Sequence, residues 1–297
     1  MKPSASHTYP IRGLAYNVRT WGNARAPRLF MLHGWMDVGA SFQFLIDALR
    51  RDWHIIAPDW RGFGLSEWSA DGYWFVDYLA DLDVLLDIFA PDEPARLVGH
   101  SLGGNVVMLY AGVRPRRVAR VVSLEGFGLP AESPDAAPGK MANWLDALKH
   151  PPSFRPYNNL AAVADQLQRN NPRLSRDKAE FLAAHWARTL ADGSATLNSD
   201  PRHKLPFPTV YRMEEVVAIW QQISAPVLWV AATESFIPQW LDTHPEGEAA
   251  TDSLDGIRAR VSQVPGGKLL TVDHAGHMLH LDQPEAVAAL IEPFLAL

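Results

Sequence analysis

The segment Ala95–Gly104, which reads Ala-Arg-Leu-Val-Gly-His-Ser-Leu-Gly-Gly, decides the fold of this chain. Its first five residues predict a short buried strand, and the apolar spacing over Leu102–Val113 predicts a helix. Ser101 lies at the junction, between glycines that admit a tight strand-to-helix turn. Such a turn exposes the serine at the carboxyl end of a sheet, where the N-terminus of the following helix favours negative charge. We therefore predict Ser101 to be a nucleophile rather than a turn serine.

Strands and helices alternate on both sides of this turn. Such alternation implies a mostly parallel sheet with helices on both faces. The predicted strands are Ile11–Trp21 (a strand or hairpin), Arg28–Leu32, Trp53–Ala57, Ala95–Gly99, Val118–Leu124, Pro226–Ala231 and Leu269–Val272. The predicted helices are one capped by Ser41 and running to about Arg51, then Phe75–Ala90, Leu102–Val113, Leu254–Val264 and Pro284–Leu295.

The alternation stops over residues 126–225, which are rich in proline and poor in glycine. Helical patterns recur there, at Arg176–Leu190 and Met213–Ile223, and no strong strand pattern is present. We predict a helical cap inserted at 126–225, with a core made of residues 1–125 and 226–297.

Composition excludes several classes of protein. The chain has 297 residues, of which 47% are hydrophobic and 20% charged, which is ordinary for a globular protein. A net charge of −6 without a basic stripe argues against nucleic-acid binding. The absence of cysteine excludes disulfides, thiolate metal sites and a cysteine nucleophile. No apolar run is long enough to span a membrane and no secretory signal is visible, so we expect a cytoplasmic protein.

Three further motifs accompany the serine turn: His33-Gly34-Trp35, the run Asp59-Trp60-Arg61-Gly62-Phe63-Gly64-Leu65-Ser66, and Asp273-His274-Ala275-Gly276-His277. Together they resemble the α/β-hydrolase superfamily over nearly the whole chain, and most of all its capped serine-hydrolase-like and esterase members. The resemblance implies an α/β fold with a mostly parallel eight-stranded sheet and an inserted helical cap. Haloalkane dehalogenases and epoxide hydrolases carry aspartate where this chain has Ser101, so those chemistries are disfavoured.

The resemblance makes His277 the base that takes the serine proton, because a serine hydroxyl is a poor nucleophile without one. His274 and His280 flank it at three-residue spacing, which raises the possibility of a metal triplet. Gly276 favours a loop here and few carboxylates are near, so we expect no metal and no cofactor. His33 and His100 are predicted to be structural or pocket-lining.

The acid that orients His277 has two candidates. The superfamily usually keeps it after the strand that ends at Ala231, where this chain has Glu234 one place early and Ser235 at the expected position. Some capped relatives instead carry a catalytic glutamate after the preceding strand, where this chain has Glu125. We favour Glu125 and keep Glu234 open, along with a purely structural role for Glu125 at the cap hinge.

The backbone N–H groups of Leu102 and Trp35 are expected to form the oxyanion hole. Asp59 and Arg61 are expected to tie loops together beneath the site. The basic and aromatic patch in the cap, Asp200–Lys204 with Tyr211 and Arg212, is predicted to be a solvated loop rather than a clamp for a substrate carboxylate.

These residues predict a serine hydrolase that cleaves a small or medium carboxylic ester, or a lactone, through an acyl-enzyme. Its partner is then a small-molecule ester; the oligomeric state stays open between monomer and homodimer. Three alternatives remain: hydrolysis of a carbon–carbon bond, perhydrolysis or acyl transfer on the same triad, and a ligand receptor with slow turnover.

Overall fold

The computed structural model describes residues 1–241 and 254–297. Its strands are β1 Ser4–Ile11, β2 Leu14–Trp21, β3 Arg28–Leu32, β4 His54–Pro58, β5 Ala95–His100, β6 Val118–Leu124, β7 Ala187–Thr189, β8 Ala195–Leu197, β9 Val227–Ala232 and β10 Lys268–Val272. Its α-helices are α1 Gln43–Ala48, α2 Phe75–Phe89, α3 Leu102–Val113, α4 Ala137–Lys149, α5 Leu160–Asn170, α6 Arg176–Trp186, α7 Met213–Trp220, α8 Ile237–Leu241, α9 Asp255–Val261, α10 Leu279–Asp282 and α11 Pro284–Ala296.

Eight strands form one sheet in the order β1-β2-β4-β3-β5-β6-β9-β10. Strand β2 is antiparallel to both β1 and β4, whereas the pairs from β4 through β3, β5, β6 and β9 to β10 are parallel. The mostly parallel eight-stranded sheet is therefore confirmed. His100 is in register with Leu124, and Leu124 with Val230. The residues that follow these three strands consequently meet at one edge of the sheet, which places the predicted site there.

Buried apolar clusters cover both faces of the sheet. One cluster includes Leu82 of α2 and Val107 of α3. The other includes Phe42 and Ile291, the latter on α11. Because both faces are covered, the central strands are apolar over most of their length, which is what made them recognisable as short apolar runs.

Residues 126–225 hold helices α4 to α7 and, among the residues described, contribute no strand to the large sheet. Although no strong strand pattern is present in this segment, it holds two strands of three residues each, β7 and β8, which pair as a short antiparallel hairpin. The helix predicted over Arg176–Leu190 ends at Trp186, where the chain enters this hairpin. Gly193 lies in the turn of this hairpin with φ at +85°, a conformation that glycine adopts without steric strain. The division into core and cap at residues 126 and 225 stays a prediction.

Two other segments differ from the sequence prediction. The N-terminal hairpin starts at Ser4 and turns at Arg12 and Gly13, both with positive φ. Ser41 does not cap a helix; it lies within a 3₁₀ turn, where its hydroxyl oxygen is 2.8 Å from the carbonyl oxygen of Val38. Within the described part of the chain, no helix combines the length and apolar character needed to cross a membrane.

Candidate active site

Ser101 lies between β5 and α3 in a strained conformation, with φ 51° and ψ −114°. Non-glycine residues rarely adopt a positive φ, and such outliers cluster at functional sites. The surrounding glycines make the turn possible. A Cβ on Gly103 would lie 2.0 Å from the carbonyl oxygen of Leu32, and one on Gly99 would lie 2.2 Å from the carbonyl oxygen of Gly103. The glycines therefore let the backbone hold the serine at the sheet edge.

Glu125 follows β6 and turns its side chain into the same edge of the sheet, with its own φ at 56°. Its side chain is fully buried. One carboxylate oxygen accepts a 2.7 Å hydrogen bond from the backbone N–H of Ala232. The other accepts from the hydroxyl of Ser235 and lies 3.3 Å from Nδ1 of His277. The structure thus brings together Glu125 and His277, which are 152 residues apart in sequence.

Glu234, the other candidate acid, points away from His277. Its carboxylate pairs with Arg173 and lies 3.6 Å from Nδ1 of His274, a side chain that is 87% exposed. The hydrogen bond from Arg173 lowers the pKa of Glu234. Ser235, at the position where the superfamily usually has its acid, instead donates a hydrogen bond to Glu125. The sequence analysis noted Ser235 only as a departure and missed this contact.

His277 is held from two sides. Nε2 of His100 donates a 2.8 Å hydrogen bond to its backbone carbonyl. Its ring packs against those of His100 and Phe236, at centroid distances of 4.9 and 5.2 Å. No hydrogen bond joins the Ser101 hydroxyl to His277 within the described part of the chain. Such contacts are often long before substrate binds.

The three histidines spaced along this segment do not converge. His274 is exposed at the surface beside Glu234, His277 faces Glu125, and His280 is buried in α10. A metal site made of these three is therefore absent from the described residues.

The loop that carries Trp35 packs directly against the serine turn. A Cβ on Gly34 would lie 3.2 Å from Cβ of Ser101 and 3.0 Å from Nδ1 of His100. In residues 1–241 and 254–297, the backbone N–H groups of Trp35 and Leu102 have no hydrogen-bond acceptor. Both donors are therefore available to a bound molecule. The Trp35 indole is 51% exposed and donates a 3.2 Å bond to the carbonyl of His203.

A cavity of about 420 Å³ opens beside Ser101, and mostly apolar side chains line it. The sheet edge contributes Ser101, Leu102 and Glu125. The remaining lining residues are Trp35, Phe75, Asn105, Gly128, Leu129, His203, Lys204, Leu205, Phe207, Ile237 and Trp240. This volume lies in the range of small-molecule pockets, and six of its lining residues come from 126–225.

His33 is buried, and both of its ring nitrogens form hydrogen bonds with backbone groups. Its Nδ1 donates 2.8 Å to the carbonyl of Gly34, and its Nε2 accepts 2.8 Å from the backbone N–H of Trp60. Burial lowers the pKa of His33 to about 4, so the ring is neutral near pH 7. It thereby fixes the loop that precedes Trp35.

Asp59 and Arg61 contact other parts of the chain, and neither lines the cavity. Asp59 accepts hydrogen bonds of 2.8 Å from the Asn17 amide and from the backbone N–H of Gly39. Arg61 makes a buried two-point contact with Asp81, at 2.6 and 2.5 Å. Both residues hold loops together.

The segment Asp200–His203 is packed onto the core, so the expectation of a solvated loop is wrong there. Lys204 is exposed, and Arg212 pairs with Glu214 at the surface. The His203 ring stacks between Phe63 and Tyr73, at centroid distances of 3.8 and 3.6 Å. Asp200 is buried, pairs with Arg202 and accepts a 2.8 Å bond from the Tyr73 hydroxyl. Aromatic stacking and charge pairing thus lock this segment against the core.

Known proteins provide an independent comparison. The family model described as the alpha/beta hydrolase fold matches residues 27–284. A serine hydrolase-like protein of Danio rerio is 28% identical over 293 residues, covering 93% of this chain and 84% of that protein. A 3-hydroxybutyrate-oligomer hydrolase of Cupriavidus necator is 28% identical over 240 residues, covering 76% of this chain and 78% of that protein. The crystal structure of a hypothetical protein from Pseudomonas aeruginosa PAO1 superposes with a TM-score of 0.83 at 26% identity, covering 98% of each chain. The chain belongs to the α/β-hydrolase fold family, with serine hydrolase-like proteins among its relatives.

Proposed function

We propose that this chain is a serine hydrolase that cleaves small or medium carboxylic esters, or lactones, through an acyl-enzyme. Ser101 is the nucleophile, His277 the general base and Glu125 the acid that orients it. The backbone N–H groups of Trp35 and Leu102 form the oxyanion hole. Residues 126–225 act as a cap over the cavity.

The contact between Glu125 and His277 carries this proposal. The carboxylate has no exposure to solvent and lies 3.3 Å from Nδ1 of the imidazole. A carboxylate at Nδ1 keeps the proton on that nitrogen, which leaves the Nε2 lone pair free to accept a proton from a serine. The strained turn at Ser101, on the neighbouring strand, presents the hydroxyl that such a base would serve.

The reaction proceeds in two halves. The Ser101 oxygen bonds to the ester carbonyl carbon as its proton passes to Nε2 of His277, and the carbonyl oxygen becomes an oxyanion held by the two N–H groups. The carbon–oxygen bond to the alcohol then breaks, and His277 returns the proton to the leaving oxygen. In the second half, water bonds to the acyl carbon as its proton passes to Nε2 of His277. The bond from that carbon to the Ser101 oxygen then breaks and His277 returns the proton to this oxygen, which releases the acid and restores Ser101.

The size and polarity of the cavity support the substrate class. About 420 Å³ with a mostly apolar lining suits an uncharged ester of small or medium size. The similarity to a hydrolase named for 3-hydroxybutyrate oligomers, which are esters, is in keeping with this choice. The cytoplasmic location and the small-molecule partner stay predictions, and the oligomeric state stays open.

Ser101→Ala tests the assignment, with Ser262→Ala at an exposed position as the matched control. Both variants and the parent are assayed on short p-nitrophenyl esters and labelled with a fluorophosphonate. We expect turnover and labelling to vanish only in Ser101→Ala, with equal melting temperatures throughout. Labelling that survives in Ser101→Ala would exclude this serine as the nucleophile. Labelling of the parent without ester turnover would favour the receptor alternative, and cleavage of a ring-fission dienone would favour carbon–carbon hydrolysis.

A further inference from the structure

A buried cluster of Asp37, His100 and His280 includes the residue that immediately precedes Ser101. These residues are 2%, 1% and 0% exposed. One carboxylate oxygen and one ring nitrogen from each histidine lie within 4.8 Å of one another. None of the three lines the cavity beside Ser101.

The ring nitrogens of this cluster lack partners. Nε2 of His100 donates to the carbonyl of His277, so its Nδ1 carries a lone pair, and that atom has no hydrogen-bond partner. Neither ring nitrogen of His280 has a partner in the residues described. Buried polar atoms in native proteins are almost always paired, so three unpaired nitrogens in one place call for a ligand.

The carboxylate of Asp37, the third member of the cluster, is held in place by hydrogen bonds. One carboxylate oxygen of Asp37 accepts from the backbone N–H of Val38 at 2.8 Å and from the Trp186 indole at 3.0 Å. The other accepts from the Ser41 hydroxyl at 2.9 Å. This second oxygen keeps acceptor capacity, because each carboxylate oxygen offers about two lone-pair sites.

We propose that Asp37, His100 and His280 form a binding site for a divalent transition-metal ion of the Zn²⁺ type. Two imidazoles and one carboxylate are ligands that suit such ions. The hydrogen bond from His100 Nε2 to the His277 carbonyl fixes the tautomer in which Nδ1 can bind the metal, as outer-shell bonds do in metal sites.

The position of the site gives the ion a structural role. His100 immediately precedes Ser101, and His280 follows His277 by three residues. A metal bound to both would tie the serine turn to the segment that carries His277. Trp186, which contacts Asp37, belongs to residues 126–225 and ties that segment to the same point. Because the ion binds the folded chain, it should raise the melting temperature.

Metal binding is measured on the full chain, without reference to catalysis, so this proposal and the proposed function fail independently. The protein is stripped with a chelator, and Zn²⁺ is titrated by calorimetry, with metal content measured after dialysis. We expect one Zn²⁺ per chain and a higher melting temperature. Asp37→Asn and His280→Gln should each weaken binding by about 100-fold or more, since changes to outer-shell partners alone cost about 10- to 100-fold.

His274→Gln is the matched control, because His274 lies in the same segment but is exposed beside Glu234. Zn²⁺ binding should be unchanged in this variant. Loss of binding in His274→Gln, or retention of full affinity in both Asp37→Asn and His280→Gln, would overturn the proposal, and so would a parent protein that binds no Zn²⁺.

X-ray absorption of the Zn²⁺-loaded parent supplies a readout that needs no variant. We expect two imidazole nitrogens and at least one oxygen at about 2.0–2.2 Å from the metal. A spectrum without two imidazoles would overturn the assignment even if the variants fail to fold.

Discussion

Replacing Glu125 with glutamine exchanges one carboxylate oxygen of the proposed triad for an NH₂ group and leaves the shape of the side chain intact. The native carboxylate accepts hydrogen bonds from Ala232 and Ser235 and faces Nδ1 of His277. An amide has only one oxygen. If that oxygen keeps the bond from Ala232, the NH₂ group faces His277 and forces Nδ1 to accept rather than donate. The imidazole proton then moves to Nε2, where the lone pair for the Ser101 proton is needed.

The expected loss follows from this change of tautomer. Where an acid of a serine triad is replaced by its amide, kcat falls by up to about 10⁴-fold. That factor corresponds to about 5 kcal/mol of lost transition-state stabilisation, at about 1.4 kcal/mol for each tenfold change. The substitution should also lower the unfolding free energy by about 1–3 kcal/mol, because Glu125 is fully buried and the new NH₂ group faces hydrogen-bond donors that the carboxylate oxygen accepted from.

The assay is kcat on a p-nitrophenyl ester at saturating substrate, with melting temperature measured in parallel. Glu234→Gln is the matched control, since that carboxylate is at the surface with Arg173 and His274. We expect it to change kcat by less than about tenfold, because it leaves the proposed triad untouched. A large loss of kcat in Glu234→Gln with little loss in Glu125→Gln would reverse the assignment. Small losses of kcat in both variants would exclude both carboxylates as the acid that orients His277.

Two other predictions concern stability. Gly103→Ala should lower the unfolding free energy by about 3 kcal/mol or more, because the new Cβ would lie 2.0 Å from the Leu32 carbonyl oxygen. Gly139→Ala in α4 should instead raise the unfolding free energy by about 0.5–1 kcal/mol, because no atom lies within 4 Å of its new Cβ. Urea unfolding of both variants checks this, and equal stabilities would refute the steric argument. Burial lowers the pKa of His33 from 6.5 to about 4. Between these two pH values the histidine is protonated in the unfolded chain but neutral in the folded chain. The free energy of unfolding therefore declines as the pH falls from about 6.5 to about 4. His33→Gln should make this decline shallower by up to about 1.4 kcal/mol per pH unit; an unchanged slope would contradict the neutral buried ring.

Much of the fold could be predicted because its central strands are buried on both faces. Apolar runs such as Arg28–Leu32 and Val118–Leu124 match the observed strands residue for residue. The hairpin of β7 and β8 was missed because each strand has only three residues, too few for a period to emerge. Its local signal was the pair Asp192 and Gly193, of a type common in hairpin turns.

Ser101 could be predicted because a serine between glycines at a strand-to-helix junction is a local pattern, and His277 could be predicted from its motif and from the chain order of serine, acid and histidine. The choice between Glu125 and Glu234 was not local. Both lie at the carboxyl end of a strand, and only the packing of β6, β9 and the His277 segment determines which one faces the imidazole.

The sequence by itself determined the alternation of strands and helices and the position of the serine turn, because each depends on residues close together in the chain. Tertiary structure alone decided three other matters: that Glu125 rather than Glu234 meets His277, that His203 is stacked against the core, and that Asp37 lies beside two buried histidines. The physical reason is that contacts between side chains far apart in the chain depend on the order of the strands in the sheet and on how the loops pack, and the residues around each position do not specify either.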